Sequence, residues 1–342
     1  MRNAYRRIGL PPTAVILLLL AGCAALGPPA AVPEPEPIAV EPAPQPIAAA
    51  VEPVAPPAPT PPREPTRAEI AIVLDADTPA HVAVADEIVN ALSPRLYRVA
   101  RVTTAEVAAL AALQTRRVTI VAVGAEAVRV ARATLPTTPL VFCQVPEHAD
   151  ALQAGGPIWG VQSLPPLSLQ LKSWRAVDPS LRTIALIVSA SGAALADEAR
   201  RAATALATDL LIETSASDRE TLYLFRRLAT NVDGLWLLPD NDALSPQVLR
   251  ELLSYATARG IGVLTFNEAL LTRGALLTAT AVPADVAATV QHVVERVVAG
   301  RTVGLPAMTP LSAAELTINP TVASELGLPP FAEQRWVARE PD

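Results

Sequence analysis

From about Arg67 onward the chain alternates short apolar runs with longer amphipathic stretches. Ile70-Ala71-Ile72-Val73-Leu74 is apolar throughout and bounded by polar residues, which predicts a buried strand. The pattern then predicts a helix over His81–Leu92, a strand near Leu96–Arg101 and a helix near Ala105–Gln114. A strand follows over Val118–Val123, ending at Gly124, then a helix over Glu126–Thr134 and a strand over Leu140–Cys143. The alternation resumes with helices over Leu167–Ala176, Leu195–Ala207, Asp218–Thr230 and Gln247–Ala258. Strands over Thr183–Val188, Leu210–Glu213, Gly234–Leu238 and Gly262–Phe266 separate them. Gly260 stands where a left-handed residue closes the last helix. Repeated βα units imply parallel sheets with helices on both faces. The fold class expected is α/β, with two doubly wound Rossmann-like lobes and a hinge. Lobe 1 is assigned to 67–161 and lobe 2 to 162–280. Residues 281–342 are read as a return segment completing lobe 1, with a C-terminal tail. Ligands of such sheets sit beyond the carboxyl ends of the strands, so two facing lobes make a cleft.

The first 66 residues follow other rules. Arg2, Arg6 and Arg7 precede the apolar run Ala14–Leu20, which is too short to span a bilayer. That is the layout of a secretory signal. It ends in Leu20-Ala21-Gly22-Cys23, which resembles the bacterial lipobox. The resemblance implies that 1–22 is a signal peptide, with cleavage before Cys23 and a diacylglycerol on the Cys23 sulfur. Partnership with a membrane through this N-terminal lipid follows. Ala24, in place of an aspartate, points toward outer-membrane sorting in a Gram-negative cell. Residues 23–66 are read as a tether, because 28–66 hold 15 of the 35 prolines and no aromatic residue. Proline fixes φ and removes the amide donor, so the segment favours extended polyproline II. At about 3.1 Å per residue its reach is at most roughly 120 Å.

Composition narrows the functions. The chain has 342 residues, 51% of them hydrophobic but only 4% aromatic, so its cores must be aliphatic. The net charge is −6, and −9 once the three signal arginines are gone. Lys172 is the single lysine, and no basic stripe interleaved with aromatics appears. Nucleic acid is therefore not an expected partner. With Cys23 lipidated, Cys143 lacks an intramolecular partner, so no disulfide framework is expected. Cys143 follows an apolar strand and reads as a buried small hydrophobe. His81, His148 and His292 lie far apart without ligand spacing, and no cysteine pair suits zinc. Gly-x-Ser-x-Gly and phosphate-cradling loops are absent. Neither an enzyme nor a metal or other cofactor is expected.

Several local patterns, taken in order, carry a resemblance. They are Pro139–Phe142, Gly155–Gly160, Gln170-Leu171, Val177-Asp178-Pro179 and Thr183–Ile187. Val232–Trp236, Pro239-Asp240-Asn241, Gly274–Leu276, Val298–Gly300 and Ile318-Asn319 through Leu328-Pro329 continue it. The body resembles the ABC-transporter substrate-binding family of the type I periplasmic-binding fold, which includes tryptophan-type binding lipoproteins. Gly155–Gly160 corresponds to the family's Gly-Asn-x-Thr-Gly-like crossover, with Pro157 and Trp159 in place of its Asn and Thr. Gln144-Val145-Pro146-Glu147 replaces the usual Asp-Pro. The resemblance implies a lipid-anchored extracytoplasmic protein that captures a small, amino acid-like ligand for an ABC permease.

The candidate ligand contacts stand just past strand ends. Lobe 1 offers Asp75, Asp77, Thr78, Gly124, Ala125 and Gln144; lobe 2 offers Ser189, Ser191, Asp240, Asn241, Phe266 and Asn267. Gly124 would let a backbone amide approach a ligand carboxylate. Ser189 and Ser191 precede a helix whose positive end suits an anion. Asp240 could take an ammonium group. Each also has a bland reading as a turn, cap or core residue. A second function remains open: a structural or regulatory envelope lipoprotein that uses a degenerate binding-protein fold for protein contacts.

Overall fold

The computed structural model describes residues 67–75, 78–92, 96–110, 118–146, 149–153, 155–239 and 244–340. The expected signal peptide, Cys23 and the tether lie outside the described residues, as do Asp77, Asp240 and Asn241.

The chain begins with β1 (Ala68–Leu74), α1 (Pro79–Ala91) and β2 (Tyr97–Thr103). A single 3-10 turn (Thr104–Glu106) leads into α2 (Val107–Leu110). The longer helix expected at 105–114 is thus entered through a tight turn. Glu106 reaches back to accept from the Thr103 amide at 2.9 Å and its hydroxyl at 3.1 Å, satisfying groups at the turn's start. Next come β3 (Val118–Val123), α3 (Ala125–Thr134), β4 (Leu140–Cys143), α4 (Ala149–Gln153) and β5 (Ile158–Val161). Lobe 2 opens with α5 (Leu167–Val177), β6 (Thr183–Val188), α6 (Ala193–Ala205), β7 (Asp209–Thr214) and α7 (Asp218–Leu228). It continues with β8 (Gly234–Leu237), α8 (Pro246–Ala258), β9 (Gly262–Thr265), a 3-10 segment (Glu268–Arg273) and β10 (Leu277–Thr280). The last elements are α9 (Pro283–Val298), β11 (Met308–Thr309), β12 (Ala313–Ile318), α10 (Pro320–Glu325) and β13 (Arg335–Arg339).

Among the described residues these strands form two sheets. The first has the order β11-β5-β4-β3-β1-β2 and is parallel throughout. The second has the order β13-β12-β10-β9-β8-β6-β7, with β12 antiparallel to both of its neighbours. Helices cover both faces of each sheet, which is why β3 can be buried at all six positions and apolar at all but Thr119. Trp174 and Trp236 fill one face of the second sheet, and Phe225 fills the other.

The stretch between β4 and β5 differs from a simple crossover. Ile158–Val161 is a strand, and Gly160 sits between Phe142 of β4 and Met308 of β11 in the ladder. A Cβ there would run into both side chains, so the glycine permits their close approach. Buried Arg132 fixes the loop ahead of β5 by donating to the carbonyls of Pro136, Thr138 and Pro157, each at 3.0 Å.

Residues 281–342 divide between the lobes instead of completing lobe 1 alone. Helix α9 packs Val286, Val290, Val293, Val294 and Val297 into lobe 1. Each buried valine contributes about 1.5–3 kcal/mol, which fixes the helix there although the preceding strand, β10, lies in lobe 2. Strand β11 extends the lobe 1 sheet, whereas β12 and β13 extend the lobe 2 sheet.

The chain therefore passes between lobes three times: from β5 to α5, from β10 to α9 and from β11 to β12. One polar network gathers these passages. Asp285, only 8% exposed in the first turn of α9, accepts from the Ser312 amide at 2.9 Å, the Ser312 hydroxyl at 2.6 Å and the Ala313 amide at 3.0 Å. The Glu340 amide donates to the Ser312 carbonyl at 2.9 Å, and the Glu340 carboxylate accepts from Ser168 Oγ at 2.9 Å. The start of α5, the start of α9 and the third passage are thereby held together by the end of the C-terminal strand.

Candidate functional site

The three passages leave the carboxyl ends of β5, β10 and β11, each of which runs parallel to the central strands of its sheet. The carboxyl ends of the parallel strands in both sheets consequently lie on the side where the chain crosses between lobes, and the residues just past those strands form the candidate site.

On the lobe 1 side, the ladder continues one residue beyond the strands. The Asp75 amide donates to the Val123 carbonyl, and the Gly124 amide donates to the Cys143 carbonyl, both at 3.0 Å. Asp75, Gly124 and Gln144 thus end three neighbouring strands in a row. The Gly124 amide is thus engaged by the sheet. Asp75 Oδ2 accepts from the Glu126 amide at 3.1 Å and occupies the N-terminus of α3. Gln144 is half-buried at φ +58, in the left-handed region that a residue other than glycine seldom enters. Ala125 is exposed as the first residue of α3. Thr78 is exposed and caps α1, accepting from the His81 amide at 3.3 Å.

On the lobe 2 side, Ser189 and Ser191 lie 2.7 Å apart through their hydroxyls, just before α6. Gly192 is the N-cap of that helix and offers no side chain to it. Phe266 is half-buried immediately beyond β9. Asn267 caps the 3-10 segment by accepting from the Ala269 amide at 3.0 Å. The structure therefore brings Asp75, Gly124 and Gln144 together in lobe 1 and the serine pair together in lobe 2. It assigns Thr78 and Asn267 to capping.

Chemistry elsewhere is limited. Cys143 is fully buried at the end of β4, and burial pushes its thiol up to about 12. Among the described residues no group of three His, Cys, Asp or Glu side chains is placed to hold a metal ion. A depression of about 310 Å³ lies at the opposite edge of lobe 2, lined by Lys172, Arg175, Pro179, Arg182 and Leu206. Its arginines donate to the carbonyls of Leu206, Pro179 and Leu181, so they close helix and turn ends there. No helix among the described residues is long and apolar enough to cross a membrane.

The profile of the ABC transporter substrate binding protein family matches residues 87–331, which is most of the chain. The chain belongs to this family. Its members are extracytoplasmic binding proteins for small molecules in the context of ABC transporters, and they are not enzymes. No curated protein matches the chain. Among solved structures, the chain is similar to the ligand-free, open form of CD0873, a substrate binding protein with adhesive properties from Clostridium difficile. That match has 15% identity and a TM-score of 0.60, covering 78% of this chain and 97% of the other. It is also similar to an ABC domain in complex with L-Trp from Streptococcus pneumoniae, at 16% identity and a TM-score of 0.50, covering 77% and 96%. A conserved domain protein from Vibrio cholerae matches at 16% identity and a TM-score of 0.50, covering 78% and 96%. At these identities the likeness bears on the fold, and it agrees with the two-lobed type I architecture of the substrate-binding family.

Proposed function

We propose that the chain is a lipid-anchored solute-binding protein that captures a small, amino acid-like ligand between its lobes and delivers it to an ABC importer. The observation that carries this reading is the gathering of all three passages by Asp285, Ser312, Glu340 and Ser168 beside facing strand ends. Such a pivot lets two rigid lobes swing while their facing edges change separation. A ligand touching both edges favours the closed form by its differential affinity. The buried hydroxyls of Ser163, in the first passage, and Thr309, which ends β11 at the third, have no hydrogen-bond partner among the described residues, as expected of a hinge whose groups are better satisfied in another arrangement. The L-Trp in the pneumococcal structure supports the amino acid-like class. In this reading Asp75, Gln144, Ser189, Ser191 and Phe266 contact the ligand, and Asp77, Asp240 and Asn241, outside the described residues, are further contacts. Cys23 carries the lipid, residues 23–66 are the spacer, and a permease is the partner.

A second reading is favoured by one observation. Gly124, Thr78 and Asn267 have their polar groups engaged internally, as a cleft turned to protein contacts would allow. Fractionation of cells separates the two. Inner-membrane location with copurifying permease supports transport; outer-membrane location with a protein partner contradicts it. Loss of membrane association in Cys23→Ala checks the anchor.

A further inference from the structure

Asp75 leaves β1 at the cleft edge, and its carboxylate lies over the N-terminus of the ten-residue helix α3. Gly124 is the N-cap of that helix, has no side chain and holds φ +99. A Cβ at Gly124 would stand 2.5 Å from Asp75 Cβ and 2.7 Å from Asp75 Oδ2. The glycine is what makes room for the carboxylate. The positive helix end therefore already holds an anion, and the chain itself supplies it. A ligand carboxylate arriving at this edge would meet a like charge and no free amide at Gly124. The second Asp75 oxygen, Oδ1, accepts from no group among the described residues, and the residue is only half-buried. Two strand ends away, Gln144 is half-buried with no side-chain hydrogen bond among the described residues.

We propose that Asp75 sets the charge preference of the cleft: lobe 1 receives a cationic, hydrogen-bond-donating ligand group such as an ammonium and refuses carboxylates. This deepens the solute-binding reading and rests on it. It also moves the ammonium contact from lobe 2, where the sequence placed it, to lobe 1. Asp75 Oδ1 and the Gln144 amide oxygen would accept from the ammonium, while Oδ2 stays on the α3 amide.

Two measurements on the full mature chain test it. The first needs no ligand. Thermal unfolding of wild type and Asp75→Gly is followed in sodium chloride and in sodium acetate of equal ionic strength. Acetate is expected to raise the midpoint of Asp75→Gly, whose helix end is vacated, and to leave wild type unchanged. Equal responses, or no response in the variant, would overturn the internal anion. The second is calorimetry with L-tryptophan, tryptamine and indole-3-propionate, which share a ring system and differ in charged ends. Wild type is expected to prefer tryptamine over indole-3-propionate by about tenfold or more, the size of one charge-assisted hydrogen bond. Asp75→Asn keeps an acceptor for the Glu126 amide and should lose that preference. An unchanged or reversed preference sinks the proposal. Silence with all three ligands would be a failure of the amino acid-like reading of the cleft, on which the acetate measurement does not depend.

Discussion

Gly124 holds φ +99 and ψ 160, a region that side chains enter only at a cost of about 1–3 kcal/mol. The Asp75 side chain also fills the space where a Cβ would go. Gly124→Ala is therefore expected to destabilise lobe 1 by about 2 kcal/mol or more, read by urea unfolding. Cys143 gives a prediction of another kind. Its buried thiol keeps its proton to about pH 12, whereas an exposed thiol releases it near 9.0. The native state holds more protons between those values, so this contribution is complete below about pH 9 and falls away as pH rises toward 12. Burial, then Glu295, also raises Tyr97, which acts in the same direction. With Cys23 replaced by serine, Cys143 should resist a disulfide reagent at pH 8 until the chain unfolds; prompt labelling of native protein would contradict its burial. Residue types alone could not separate the roles of residues at the strand ends. Asp, Asn, Ser and Thr are both the capping residues and the ligand residues of α/β proteins. Thr78 and Asn267 each accept from a backbone amide at the start of a helical segment, and only the three-dimensional placement of Asp75 shows that its carboxylate meets α3.

Among elements, the buried parallel strands were the most legible. Val118–Val123 is apolar but for Thr119 because both faces of the sheet are covered, and no turn chemistry competes with that pattern. Short or antiparallel pieces left little trace. Strand β11 has two residues, and β12 and β13 owe their place to pairing with each other and with β10. Several sequence patterns that carry the family likeness proved to hold turns together. Asp233 accepts from the amides of Arg182 and Thr183 at 2.9 Å, and Asp178 accepts from the Ser180 amide at 2.9 Å. Gln170 is 1% exposed and bridges Trp236 to the Pro165 carbonyl, joining β8 to the first passage. The hinge network was not legible, because its bonds span 27 to 172 residues of sequence. Asp285→Ala would leave two amides and a hydroxyl at the pivot without their acceptor, at about 1–3 kcal/mol for each buried group. A loss of roughly 3 kcal/mol or more is expected in urea unfolding, with Asp285→Asn less affected. A neutral Asp285→Ala would remove Asp285 from the account of the hinge.

At the scale of the molecule, the charge and apolar patterns place two α/β lobes in one body, and the family membership gives that body a binding role. The lobe 2 sheet takes in the end of the chain, so the C-terminal strand belongs to the same structure that closes around the hinge. Lobe motion around a single gathered pivot is the central claim, and ligand-dependent compaction is its direct consequence. Small-angle X-ray scattering on the mature chain, titrated with any amino acid, peptide or nucleoside pool that gives heat by calorimetry, measures it. A radius of gyration that falls with saturation of the heat signal is predicted. Heat with an unchanged radius, or no heat with any pool, would contradict it.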